Sequence, residues 1–343
     1  MMVYIMETKT EQKRTHGFIS VFFALLGNTV ITVIKFFGFY LSGSSVLFSE
    51  AVHSFADTMN QSLLMVGIKK SAKKADEEFV YGYGQERFLW ALISACGIFF
   101  LGAGVTVSQG IEALRHPKSI ELSPLIFAIL IISFILESFS FYTAWHELRA
   151  SSSGSVANSF KHGDPTTIAV LYEDGIALLG VLVALVSIIL SRATGNHYWD
   201  GIGSIVIGLM LAGIAVMLIN KNRGFLIKRA IPEEIKERAI EILKADPVVE
   251  KVLDFKSAVL DIGSYRIKCE VEFNGSALMK EIYKSVSLKE EFEKVSEDYE
   301  EFKKFFVENI DRLPRLIGKR IDEIEKKIKT EIPGIIHIDI EIN

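Results

Sequence analysis

Ser45-Val46-Leu47-Phe48-Ser49-Glu50-Ala51-Val52-His53-Ser54-Phe55-Ala56-Asp57, continuing to about Ile68, reads as a membrane-length helix that nevertheless carries three ionisable side chains. Ionisable groups at bilayer depth are costly and mark ion pathways or proton relays. His53 and Asp57 are four residues apart, so they share one helix face, with Glu50 one turn earlier. An imidazole beside a carboxylate suits a divalent transition metal. The plain alternative is a buried pair that only pins two helices together. It is weakened if a second carboxylate stands at the same depth, because two such charges repel unless a cation joins them.

The flanking sequence supplies the bilayer context. Half of the 343 residues are hydrophobic, but residues 17–220 hold most of the apolar runs while residues 228–343 are densely charged. That split predicts a membrane domain followed by a soluble one. With the polar residues of the helices and the element order of the tail, the chain divides into a cytoplasmic N-terminal segment (1–16), a transmembrane cation-transport domain (17–222) and a cytoplasmic α+β domain (231–343). Six stretches approach the roughly 20 residues a spanning helix needs. They lie near 17–41, 45–68, 87–113, 123–146, 166–190 and 200–220. Lys69, Lys70, Lys73, Lys74, Arg149, Lys161, Lys221 and Arg223 fall on one side of this pattern, against Arg115, Lys118 and Arg192 on the other. The bias predicts a multi-pass integral membrane protein with both termini cytoplasmic. The net charge of −4 argues against a nucleic-acid partner. Cys96 and Cys269 fall in different regions and form no metal cluster. No nucleophile elbow, phosphate loop or cofactor fingerprint appears, so neither an enzyme nor a bound cofactor is expected. Met1 to His16 lacks the apolar core of a cleavable signal peptide.

Depth counting groups the polar residues. At about 1.5 Å per residue, Asn28, Asp57 and Asp174 fall roughly 15–18 Å into the first, second and fifth segments. His53, Asp57 and Asp174 are therefore the predicted metal ligands at one level of the bundle. Glu173, about 100° around the helix from Asp174, is a candidate alternating or proton-carrying partner. Asn28, Glu50 and Glu137 are further candidates for ligation or proton coupling. For Glu137 the alternatives are an ion pair with Lys35 or a place facing a water-filled vestibule, and for Asn28 an interhelical hydrogen bond. The small residues Gly201, Gly203, Ser204, Gly208, Ala212 and Gly213 predict close helix packing on the sixth segment.

In the charged tail, proline at 232 precedes an amphipathic helix over 233–244. Strands follow near 248–260 and 264–273, then helical sequence to about 330. A last strand at 335–341 alternates apolar and polar residues. The order α-β-β-α-β predicts a ferredoxin-like α+β sandwich, with 279–320 as extra helices. His337 and Asp339 share a face of the last strand and form a weak candidate site. They equally suit a solvent-facing strand edge.

Together the run Ser42 to Asp57, the Tyr81-Gly82-Tyr83-Gly84 loop before Glu86 and Arg87, and Asp200 opening the sixth segment resemble the cation diffusion facilitators. Within that family the chain is similar to the zinc transporter 9-like branch through Ser133 to Glu137, Glu147-Leu148-Arg149, Asp164-Pro165, and Leu171 to Leu179 with Glu173-Asp174. The resemblance implies a homodimer that exchanges a divalent cation, usually zinc, for protons by alternating access. It implies a plasma (inner) membrane location if the chain is prokaryotic. The family places a His-x-x-x-Asp pair on its fifth helix. Here the position four before Asp174 is Val170. A fourth ligand then comes from water, Glu173, Asn28 or another carboxylate, and a manganese- or ferrous-preferring exporter is the alternative. A passive divalent channel built on the same residues is a further one.

Overall fold

The computed structural model describes residues 25–117, 124–150, 165–283 and 287–343. The expected segment 1–16, the start of the first span and Lys118, Lys161 and Asp164 lie outside them. Two compact units emerge: residues 1–74 with 86–223, and residues 75–85 with 224–343.

The first unit consists of long helices. These are α1 (Leu25–Ser42), α2 (Ser45–Ser71), α3 (Glu86–Arg115), α4 (Pro124–Ala150), α5 (Pro165–Thr194) and α6 (Tyr198–Leu226). Five of them are long and apolar enough to cross a membrane; α2 is not among the five. Six spans were expected, and the difference has a simple cause. Helix α2 has 27 residues, ample length, but its polar side chains dilute its apolarity. Those side chains point inward: Ser45, Ser49, Glu50, His53, Ser54 and Asn60 are all buried. Outside, Phe100, Phe139 and Leu209 are each more than 60% exposed, an apolar surface suited to lipid and not to water.

Gly43 turns the chain between α1 and α2 with a φ of +65°, a conformation other residues adopt at a cost. Helix α3 contains a π-helical turn at Ile98–Ala103. The small residues of α6 serve close packing, as expected. A Cβ on Gly208 would lie 3.0 Å from the Val107 nitrogen, and one on Gly201 would lie 3.0 Å from the Gly110 carbonyl. Val46, Leu47, Leu130, Val181, Ile188, Ile207 and Leu211 fill the core between the helices.

The second unit holds a three-stranded sheet in the order β1 (Val249–Asp261), β2 (Ser264–Phe273), β3 (Ile335–Ile342). Strands β1 and β2 form an antiparallel hairpin, and β3 joins β2 in parallel. Helix α7 (Glu233–Lys244) precedes the sheet; α8 (Gly275–Ile282), α9 (Leu288–Val295) and α10 (Tyr299–Glu331) lie between β2 and β3. This is the α-β-β-α-β order read from the sequence. The extra helical material resolves into α8, α9 and the first half of α10, which runs 33 residues through Pro314 without a break. Ala239, Leu243, Ile267, Cys269, Val271, Ile324 and Ile328 form the core of this unit.

Candidate functional site

The site is built along the buried face of α2. At its start, the Asp200 carboxylate of α6 caps the helix from outside. Ser44 Oγ donates to Asp200 Oδ1 and the Ser45 N–H to Oδ2, both at 2.5 Å, while the Val46 N–H reaches Oδ1 at 3.3 Å. A carboxylate there satisfies donors that the first turn leaves orphaned and complements the positive end of the helix dipole. One turn on, Ser49 and Ser204 hydroxyls hydrogen-bond at 2.6 Å.

Glu50 follows, and its role is an ion pair. Lys35 of α1 donates from Nζ to Glu50 Oε2 at 2.9 Å and to Glu137 Oε1 of α4 at 2.8 Å. Lys35 and Glu50 are fully buried. Of the sequence readings of Glu137 the structure shows the pairing with Lys35, and it adds Glu50 on the same ammonium. Ion pairs of this kind survive burial only with close geometry, because each unpaired ion costs several kcal/mol in the interior.

Next comes the pair that drew attention in the sequence. His53 Nε2 stands 3.3 Å from Asp57 Oδ2, with the imidazole almost fully buried and the carboxylate one-third exposed. The alignment falls short of a hydrogen bond, so the contact is an ion-pair approach. On the facing helix α5, Asp174 Oδ2 accepts from Ser140 Oγ of α4 at 2.8 Å. Asp174 and Glu173 are both half-buried and within electrostatic reach of Asp57 and His53, and Glu173 also senses Lys221 of α6. The structure thus joins His53 to Asp57 and sets two carboxylates of α5 nearby. Among the described residues, no three His, Cys, Asp or Glu side chains stand close enough to hold one ion, so the predicted ligand set is not closed in this conformation. Asn28 is half-buried one turn before Thr32, whose hydroxyl meets Thr58 of α2 at 3.1 Å. That spacing puts Asn28 on the α1 face turned to α2. The Val170 side chain lies outside the described ones.

In the second unit, Asp339 accepts from Arg266 Nε and Nη2 at 3.0 and 2.7 Å, and Glu341 pairs with Lys268 at 2.5 Å. His337 packs perpendicular to the Tyr81 ring, 5.0 Å between centroids. Burial and the Arg266 guanidinium hold its imidazole below the ordinary range. The Cys269 thiol is pushed up to about 11 by burial, which leaves it an inert core group. Asp339 is thus engaged by a cation of its own chain, the arrangement of a braced strand edge.

Sequence reasoning missed Asp200 as a cap, Ser140 as the partner of Asp174, and the double pairing of Lys35. Ser140 had a readable signal, since it lies one turn beyond Glu137 on the same polar stripe. Asp200 enters the sequence reading only as part of the family resemblance, and the Glu50 contact of Lys35 has no local signal.

A buried polar row inside six helices, with an α+β unit after them, meets one family description. A model of the cation efflux transmembrane domain matches residues 21–227. The chain belongs to the cation efflux family. Metal tolerance protein C4 of Arabidopsis thaliana is 36% identical over 330 residues, covering 93% of this chain and 72% of the relative. Proton-coupled zinc antiporter SLC30A9, mitochondrial, of Mus musculus is 33% identical over 329 residues, 93% of this chain and 57% of the relative. The Homo sapiens protein of the same name is 33% identical over 338 residues, 94% and 60% respectively. The chain therefore spans less than two thirds of the length of those two antiporters. As a member of the cation efflux family it is a multi-pass membrane transporter, concerned with metal efflux, and not an enzyme.

Proposed function

We propose that this member of the cation efflux family exports a divalent transition metal, zinc foremost, in exchange for protons, by alternating access around His53, Asp57 and Asp174. The observation that carries this reading is the His53–Asp57 pair on α2, with the imidazole buried and the carboxylate one-third exposed, facing the carboxylates of α5. Metal enters from the side of the charged tail, binds these groups as α2 and α5 close, and is released to the other face. Protons compete for the same groups there. Imidazole couples the two because its protonated form cannot ligate metal, and Nε2, which faces Asp57, is the nitrogen that would do so. Glu173, which lies within electrostatic reach of Asp57, Asp174 and Lys221, serves as the proton-carrying partner in this proposal. The two relatives whose names read proton-coupled zinc antiporter support the same ion and the same coupling. The working unit in this proposal is a homodimer joined through the tail, with both termini on the cytoplasmic side.

One observation favours a second metal preference. Besides His53, the groups gathered here are carboxylates, because Val170 stands where the family's fifth helix has its histidine. An oxygen-rich set shifts preference towards manganese or ferrous iron. Purified protein in proteoliposomes decides both points. Asp57→Ala is expected to reduce proton-driven zinc flux to background, and flux that persists would remove Asp57 from the site. Competition of zinc by manganese in the unaltered protein reports the preference.

A further inference from the structure

We infer that Glu50 and Glu137 form a second cation site in the bundle, that Lys35 is the tethered cation seated in it, and that the travelling metal must displace this ammonium to leave. The inference rests on the transport reading above, and it stands on three observations.

The first is charge. One ammonium, fully buried, is held between two carboxylates at 2.9 and 2.8 Å. The remaining oxygens, Glu50 Oε1 and Glu137 Oε2, are buried and accept no hydrogen bond among the described residues. A brace between helices needs one carboxylate for one lysine. A second carboxylate in that setting either stays charged without a counter-ion or takes up a proton. Two carboxylates from two helices match a doubly charged guest.

The second is room. Gly180 of α5 lies directly against Glu50 Oε1, where a Cβ would sit 2.5 Å away. The glycine is what lets the carboxylate occupy this position.

The third is order along the bundle. Glu50 is three residues before His53 on α2, about 4.5 Å along the axis, on the side away from Lys69 and Lys70. Beyond it the polar row continues through Ser49 and Ser204 to Ser44 and Asp200. It ends at a cavity of about 180 Å³ lined by Gln109, Glu112, His116 and His197. Metal pair, carboxylate pair and end cavity thus follow one another in a single direction. A lysine on a flexible four-carbon stem is suited to swing aside and return.

The test uses full-length protein in detergent, with Zn2+ and Mn2+ as probes in equilibrium dialysis, and zinc flux in proteoliposomes. Asp57→Ala alone is expected to bind no ion. Asp57→Ala with Lys35→Met is expected to bind one ion per protomer and to melt at a higher temperature when Mn2+ is added. A folded double variant that binds none overturns the second site. If Lys35→Met prevents folding, the neutral triple Lys35→Met/Glu50→Gln/Glu137→Gln decides. It should still bind one Zn2+ at His53, Asp57 and Asp174, yet lose flux by about tenfold or more. Wild-type flux in this triple reduces the cluster to a brace and overturns the proposal. Zinc retained by Asp57→Ala itself would instead count against the His53–Asp57 reading, and the flux of the triple then judges the carboxylate pair alone.

Discussion

Gly180 shows how much a single missing methyl group controls in this bundle. Gly180→Ala places a Cβ 2.5 Å from Glu50 Oε1, so either α5 shifts or Glu50 leaves Lys35. We expect a loss of about 1–3 kcal/mol, read as a lower melting temperature in detergent. Gly213→Ala on α6 meets nothing within 4 Å and is the control, expected to be neutral or slightly stabilising. Asp200→Ala removes the acceptor of Ser44, Ser45 and Val46, and each buried donor left unpaired costs about 1–3 kcal/mol. Asp200→Asn retains one acceptor oxygen and should recover part of the loss in the same melting experiment. At this scale the sequence disclosed the His53–Asp57 pair, because four residues along one helix is a local relation. Lys35 lies 15 residues from Glu50 and 102 from Glu137; matching depth and opposite charge suggest the Glu137 contact, but nothing local announces that Glu50 shares the ammonium.

Among the elements, β3 has a titratable group whose effect can be signed. His337 is held below its ordinary value of 6.5, first by burial and then by Arg266 and Lys329. Above that value the ring is neutral in folded and unfolded chains alike, and its contribution to stability is complete. As pH falls below 6.5 the unfolded chain takes up the proton first, so stability is lost until the folded ring also protonates. Hydrogen exchange of the β3 amides, corrected for intrinsic rates, should show protection falling over that window, and His337→Gln should flatten the slope. An unchanged slope would show that His337 does not set it. Element types and order in the tail were legible because proline, alternation and helical periodicity act over a few neighbours. The unbroken course of α10 was not. Pro314 lacks an N–H and argues locally for a break, but Ile324 and Ile328 anchor the later turns in the core of the sheet.

For the whole molecule, the proposal separates an exchanger from a channel. With zinc equal on both sides of a proteoliposome, an imposed pH gradient should drive its accumulation, and a proton ionophore should abolish it. A channel would show no net movement under those conditions. The two-unit division follows the compositional boundary near residue 224, yet residues 75–85 group with the tail sheet and not with the helices that flank them. Tyr81 supplies the reason: its ring lies 4.5 Å from the Arg266 guanidinium and 5.0 Å from His337. Gly84 adds another, since a Cβ there would fall 2.7 Å from the Leu260 carbonyl.

The chain by itself determined the apolar runs, the inward polar face of α2, the His53–Asp57 spacing and the α-β-β-α-β order of the tail. These are relations between residues a few positions apart, and helix and strand periodicity expresses them directly. The tertiary structure alone decided that Asp200 caps α2, that Ser140 holds Asp174, and that Lys35 sits between two carboxylates. Asp200 and Ser44 are 156 residues apart, and Ser140 and Asp174 are 34. A buried polar atom takes its partner from whichever helix packs against it, and packing is a property of the whole bundle.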